Sequence, residues 1–213
     1  MSGKYMAYVG SYSYTGKAKG ITVFDVDVEN GMFKERCEIE VDNSSYVIAS
    51  SDGKTLYSIA DEGVVSFRIL PNGSLARLNS APIRGMRGCH LCTDEEDKYV
   101  FVSGYHDGKT TVLSLNPDGS VGKIVDGVFD RGYGSVAERN FRPHVTCTRR
   151  MPDNRFVLSV DNGIDQVKIY RFNDKEQRLV QVDAIRCELE SAPRHFRYSK
   201  DGKFIYLMYE LKK

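Results

Sequence analysis

Three of the four histidines in this 213-residue chain recur in one local setting, directly after Cys or Pro or one residue further on: Cys89-His90, Pro143-His144 and Pro193-Arg194-His195. Imidazole titrates near neutrality, so a histidine at a site can take and return a proton. Arginine beside it, as at Arg194, offers a fixed charge and a planar fork of donors for an oxyanion or a phosphate. Rival chemistries are poorly represented. Cys89-His-Leu-Cys92 has the spacing of a metal-binding pair, but no second such pair follows. Positions three apart on a strand also face opposite sides, so no metal is expected. The chain has no Gly-x-Ser-x-Gly elbow, which argues against a serine hydrolase. The Arg149-Arg150 pair reads as part of a solvated turn.

The histidines must be held by strands. Helical periodicity is almost absent, and apolar residues alternate or cluster in short runs rich in Val, Ile, Tyr and Phe. Such runs are Tyr5–Gly10, Ile21–Val26, Leu56–Ala60, Val64–Ile69, Tyr99–Ser103, Thr110–Leu115, Phe156–Val160, Gln166–Phe172 and Phe204–Tyr209. Between them lie Asn30-Gly31, Asp52-Gly53, Asn72-Gly73, Asp118-Gly119 and Asp201-Gly202, dipeptides that tolerate the positive φ of tight hairpins. A turn closed by a basic residue recurs as SSDGKTLYSI, DEEDKYVFVS, MPDNRFVLSV and SKDGKFIYLM. Its basic residues, Lys54, Lys98, Arg155 and Lys203, are spaced 44, 57 and 48 residues apart. A period in the forties with three or four strands per unit marks propeller blades. The long interval carries an insertion, GVFDRGYGSVAERNFRPH at 127–144, and long insertions in compact domains often serve function. Counting back eight residues from the basic residue reaches Tyr46, His90 and His195; in the blade with the longer turn, eleven residues reach His144. This repeat position starts the innermost strand of a blade, at the mouth of the central channel. The 23 Tyr and Phe residues, alternating along strands, are expected to be mostly core between blades.

Composition excludes several classes. A formal net charge of +1 does not suit a nucleic-acid protein. The start, MSGKYMAYVG, has no apolar leader region, and no stretch reaches membrane-spanning length, so neither a membrane nor export is expected. Five cysteines form no disulfide framework, which reads as reduced thiols in a cytoplasmic protein. Without an export signal the sequons at Asn43 and Asn72 carry no meaning. The fold expected is all-β, one incomplete propeller domain over residues 1–213. Four blade starts follow an N-terminal stretch, and the last blade breaks off at Glu210-Leu211-Lys212-Lys213 after its second strand. An unclosed ring leaves an unpaired edge, so edge-mediated self-association is expected.

Several of these segments resemble the 6-phosphogluconolactonase-like lactonases. YVGSYSYTGKAKGITVFDVDVENGMF looks like that family's first blade, and NSSYVIASSDGKTLYSIADEGVVSFRI like its second. GCHLCTDEEDKYVFVSGYHDGKTTVLSLNPDGSVG follows its P-C-H blade. ERNFRPHVTCTRRMPDNRFVLSVDNGIDQVKIYRF follows its E-R-Q…P-H…P-D-x-R blade, and SAPRHFRYSKDGKFIYLMYEL its G-P-R-H…N-E-L blade. The sequence departs from the pattern at Thr146, where many members carry a second histidine, at Asp165-Gln166 in place of Asp-Arg, and at Tyr209 in place of Asn.

The resemblance implies a seven-bladed ring, of which this chain supplies about four to four and a half blades. It implies hydrolysis of a sugar lactone, typically 6-phosphogluconolactone in the pentose phosphate pathway, with no cofactor. The partner would be a small phosphorylated sugar lactone. By motif, the catalytic residues would be His144, Arg194 and Glu210, as in related muconate-lactonising propellers. Glu210 would orient the histidine or anchor the arginine. His90, His195, Arg139 and Arg142 would contact the substrate, the last two its phosphate. The alternatives are a muconate-type lactonising enzyme, or a propeller that keeps the fold as a binding or scaffold module without the chemistry.

Overall fold

The structure, a computed structural model, describes residues 5–134 and 141–212. It is built from five antiparallel sheets. The first holds β1 (Tyr5–Gly10), β2 (Gly20–Asp27) and β3 (Met32–Glu40). The second holds β4 (Val47–Ala49), β5 (Thr55–Ala60), β6 (Gly63–Ile69) and β7 (Leu75–Pro82). The third holds β8 (His90–Thr93), β9 (Tyr99–Gly104), β10 (Lys109–Leu115) and β11 (Val121–Phe129). The fourth holds β12 (Val145–Arg150), β13 (Val157–Asp161), β14 (Gln166–Asn173) and β15 (Arg178–Arg186). The fifth pairs β16 (Pro193–Tyr198) with β17 (Ile205–Tyr209). Within each sheet every strand pairs with the next in sequence, the connectivity of propeller blades. Among the described residues there is no helix, so none is long and apolar enough to cross a membrane.

The recurring turn explains why each blade folds locally. The residue before its basic position adopts positive φ in all four copies: Gly53 at 68°, Asp97 at 50°, Asn154 at 58° and Gly202 at 69°. Glycine, Asp and Asn are the types that enter this region at least cost, and the sequence uses no other there. A turn acid ties the bend, with Asp52 Oδ1 accepting from Lys54 N at 3.0 Å and Asp94 Oδ1 from Lys98 N and Tyr99 N at 2.8 Å each.

Packing joins the blades. Strands β5, β9 and β13 are buried on both faces, and alternate residues enter different cores. Leu56 packs with Ile21, Val41 and Phe67 between the first two sheets, whereas Tyr57 and Ile59 pack with Leu91, Val100 and Val102 between the second and third. Tyr99 and Phe101 pack with Val157, Tyr170 and Phe172 between the third and fourth. Leu158 and Val160 pack with Phe196 between the fourth and fifth. A hydroxyl network of Ser103, Thr110, Thr148 and Ser159, bonded at 3.0–3.3 Å, seams the third and fourth sheets. The short inner strands are neighbours: β8 lies beside β4 and β12, and β12 beside β16. The starts of these strands are therefore brought together.

Several sequence readings need correction. Arg149 and Arg150 are not in a solvated turn; they end β12, with Arg149 9% exposed and both side chains buried. Residues Val145 to Arg149 of β12 are buried without interruption, which carries the pair inward. The aromatics are less uniformly core than expected: Tyr14, Phe33, Tyr133, Phe204 and Tyr206 are exposed. The last strand begins at Ile205 rather than Phe204, and its partner is β16 alone.

Candidate functional site

His144 immediately precedes β12, and its conformation is fixed from three sides. Its ring stacks on Tyr105 with centroids 4.3 Å apart and 13° between planes. Its Nδ1 lies 2.7 Å from the Tyr105 carbonyl oxygen, which can only accept, so Nδ1 carries the proton and Nε2 keeps a lone pair. Its backbone N–H donates to Asp161 Oδ1 at 2.8 Å. Desolvation lowers the His144 pKa from the usual histidine value against the opposing Tyr105 hydrogen bond, and the charge of Arg142 lowers it further. The imidazole is thus neutral at pH 7 and basic at Nε2. Gly163 lies against it: a Cβ there would stand 1.8 Å from Arg142 O and 2.8 Å from His144 Cδ2.

The acid behind His144 is itself unusual. Asp161 Oδ1 also accepts from Gly163 N at 3.0 Å and Ile164 N at 3.3 Å. Its Oδ2 and that of Asp130 are buried without another donor, and Asp130 Oδ1 accepts from Tyr170 at 2.5 Å. Burial, and then the charge of Asp130, raise the Asp161 carboxyl well above the ordinary range. The two carboxyls therefore hold a proton between them at neutral pH.

Arg194 and Glu210 meet by hairpin geometry. Pro193 in β16 pairs with Tyr209 in β17, and Glu210 N donates to Ala192 O at 2.9 Å. The strand that leaves Arg194 thus returns Glu210 to the same end, and Arg194 Nη1 lies 3.1 Å from Glu210 Oε2. Asn162 links this pair to the histidine: its N–H donates to His144 O at 2.9 Å and its Nδ2 to Glu210 Oε2 at 3.1 Å. Thr146, where a second histidine is common in the family, donates its hydroxyl to Arg194 O at 2.7 Å. The turn before β16 is held by Asp165, which accepts from Glu190 N and Ala192 N at 2.8 Å each.

Arg194 lines a cavity of about 210 Å³ with Tyr12, Arg87, Cys89, Tyr105 and His106. Arg87 reaches Asp61 at 2.9 Å and lies over the Tyr12 ring at 4.9 Å. Sequence reasoning missed Tyr12, Arg87, Tyr105 and His106. They sit in loops of different blades, and the only signal they share, proximity to a blade end, is too common to select them.

The remaining candidates separate. His90 is 1% exposed and does not line this cavity, contrary to a substrate contact there; its ring packs on Tyr46 at 4.7 Å and on His195 at 5.4 Å. His195 is half-buried in the same inner cluster, with Cys147 Sγ 3.6 Å from His90 Nε2. This donor set is more metal-like than Cys89-His-Leu-Cys92, the pattern weighed in the sequence: one ligand atom each from His90, Cys147 and His195 lie within 4.8 Å of one another. Arg142 is exposed beside Phe141, its guanidinium 5.5 Å from the ring. Arg139 lies outside the described residues.

Comparison with known proteins places these features in context. Residues 6–213 match the family model described as lactonase, 7-bladed β-propeller. A 6-phosphogluconolactonase of Bacillus subtilis is 32% identical over 214 residues, covering 98% of this chain and 60% of that protein. A putative 6-phosphogluconolactonase structure from Bacteroides fragilis superposes with a TM-score of 0.90 at 32% identity, over 97% of this chain and 61% of that one. The periplasmic gluconolactonase of Pseudomonas aeruginosa gives 0.89 at 25% identity, over 96% and 61%. The chain spans about 60% of the length of these relatives.

Proposed function

Since the chain belongs to the family of seven-bladed β-propeller lactonases, we propose that it opens the ring ester of a sugar lactone, with 6-phosphogluconolactone as the preferred substrate. The observation that carries this reading is the poised His144. Its Nδ1 is committed to the Tyr105 carbonyl, its neutral Nε2 is left as a base, and the residue, 4% exposed, stacks its ring on Tyr105, which shares the wall of the cavity with Arg194. Relatives named for hydrolysis of 6-phosphogluconolactone and of gluconolactone support the substrate class.

In this mechanism His144 Nε2 takes a proton from water as the oxygen attacks the lactone carbonyl carbon. The carbonyl oxygen becomes an oxyanion, and the Arg194 guanidinium stabilises it as charge develops. The intermediate collapses by breaking the bond to the ring oxygen, which leaves as a hydroxyl with the proton returned by His144. Water has then added across the ester, and no co-reactant is consumed. Glu210 acts through Arg194, since Oε2 already meets both Nη1 of Arg194 and Nδ2 of Asn162. Arg87, the second guanidinium of the cavity, suits the substrate phosphate.

The test is hydrolysis of freshly made 6-phosphogluconolactone, corrected for spontaneous opening, with gluconolactone as the unphosphorylated comparison. His144→Ala is expected to lower turnover by roughly 10²–10⁴-fold. Arg194→Lys is expected to lower it too, because the charge remains but the fork is lost. Full activity in His144→Ala removes histidine from the mechanism and favours the binding-module reading. Equal rates on both lactones refute the assignment of a phosphate subsite.

A further inference from the structure

Arg149 and Arg150 are chain neighbours with opposite fates. Arg150 is matched by acids, Asp94 at 3.6 Å and Asp174 at 2.9 Å. Arg149 is nine-tenths buried and makes no ion pair among the described residues. Its Nε has no hydrogen-bond partner, and the guanidinium otherwise meets thiols, Cys92 at 4.0 Å from Nη1 and Cys147. A buried guanidinium without a counter-charge is costly, and native structures seldom leave one uncompensated.

What surrounds Arg149 is also short of acceptors. His90 and His195 converge on Cys147 where β8, β12 and β16 meet, and the Nδ1 of His90 is a second buried atom with no partner. Arg197 adds another positive charge felt by both imidazoles. Asp94, at the end of β8, is already engaged by Arg150, Lys98 N and Tyr99 N. The groups gathered here are guanidinium, imidazole and thiol, all of which can donate, and no carboxylate joins them. His90, Cys147 and His195 alone would suit a soft metal, but a divalent cation there would add charge beside an unpaired guanidinium.

We propose that the inner channel of this propeller binds a small inorganic anion, a halide or an oxyanion such as phosphate, held by Arg149 with His90 and His195. A small occupant suits the site because Arg149 is only 9% exposed, set among the packed inner strands β8, β12 and β16. This site is separate from the cavity at Arg194 and does not depend on the lactonase reading. It neutralises a charge that meets no acid among the described residues, so the bound ion joins β8, β12 and β16.

The test is thermal unfolding of this chain at constant ionic strength, with sodium isethionate replaced stepwise by sodium bromide or sodium phosphate. Binding only to the folded state is expected to raise Tm by roughly 5–10 °C at 100-fold excess over Kd. Arg149→Met is expected to abolish the rise, whereas Arg194→Ala keeps it, separating this site from the cavity. Crystals grown in bromide are expected to show an anomalous peak beside Arg149. Should Arg149→Met fail to fold, Arg149→Lys is expected to weaken the response at least several-fold. The proposal is overturned if the wild-type chain shows neither shift nor peak, or if an Arg149 variant responds as wild type does. It is equally overturned if zinc raises Tm where both anions fail.

Discussion

Gly163→Ala tests whether the backbone behind His144 sets the catalytic geometry. The new Cβ would stand 1.8 Å from the Arg142 carbonyl oxygen, a shortfall of about 1.6 Å against the 3.4 Å of an ordinary contact. The obstacle is backbone and cannot rotate away, and on its other side the same Cβ meets His144 Cδ2 at 2.8 Å. The segment at 142–144 must therefore move away from β13 by more than 1 Å. Gly163 N and His144 N both bond Asp161 Oδ1, so the shift also strains that acceptor. Overpacking of this kind costs about 3 kcal/mol, the upper part of the usual range. For a chain of this size that lowers Tm by roughly 6–12 °C. A displacement near 1 Å at a reacting group lowers turnover by roughly 10²-fold. Gly53→Ala is the control: Gly53 has φ 68° and nothing within 4 Å of the added Cβ. It is expected to cost only about 1–2 kcal/mol of backbone strain and to leave activity intact. Calorimetry and lactone hydrolysis read both variants. If Gly163→Ala is no less stable than Gly53→Ala and hydrolyses lactone at the wild-type rate, the placement of His144 argued above is wrong.

Other expectations follow from the same geometry. His144 must be neutral to act as a base, and desolvation lowers its pKa, so kcat/KM is expected to hold down through pH 6.5 and fall below it. Arg142→Ala removes a charge that lowers this pKa, and the acid limb of a pH–rate profile should move upward; no movement refutes the coupling. The Asp130–Asp161 pair keeps a proton that the unfolded chain releases above about pH 4. Its contribution is therefore full below that pH and is lost as pH rises toward neutrality. Asp161→Asn, whose amide oxygen can keep the three N–H bonds, should gain stability relative to wild type as pH rises from 4 to 8, read by urea melts across that range. Asp165→Ala frees Glu190 N and Ala192 N and is expected to cost about 3 kcal/mol while raising KM through Arg194; unchanged kinetics would detach that turn from the site. Tyr206 and Met208 are exposed on one face of β17, and Tyr206→Lys is expected to reduce self-association of this chain read by light scattering; an unchanged signal would clear that face.

Much of this molecule is legible in its sequence because much of its structure is local. The nine apolar runs correspond to β1, β2, β5, β6, β9, β10, β13, β14 and β17, strands with at least one face in a core or paired within a hairpin. The outer strands β3, β7, β11 and β15 are less legible, since residues such as those of MFKERCEIE and RLVQVDAIR are largely exposed and alternate weakly. The turn repeat was written in residue types because positive φ is a property of one residue and its neighbours. The meeting of Arg194 and Glu210 was also local in origin, being the return of one hairpin.

Contacts between blades were another matter. Nothing in the order of residues distinguishes Arg149, buried without a counter-charge, from Arg150, which ends on two acids; the difference comes from Asp94 and Asp174, just after β8 and β14, which reach Arg150 and not its neighbour. The cavity wall of Tyr12, Arg87, Tyr105 and His106 draws on positions more than 90 residues apart. The Asp130–Asp161 pair joins the end of β11 to the end of β13, and its raised protonation needs the burial that packing provides. Backbone conformation and hairpin register answer to short-range sterics and hydrogen bonds, which sequence alone specifies. The charge state and accessibility of a side chain answer to desolvation and to neighbours from other blades, and those exist only once the sheets are packed around a common channel.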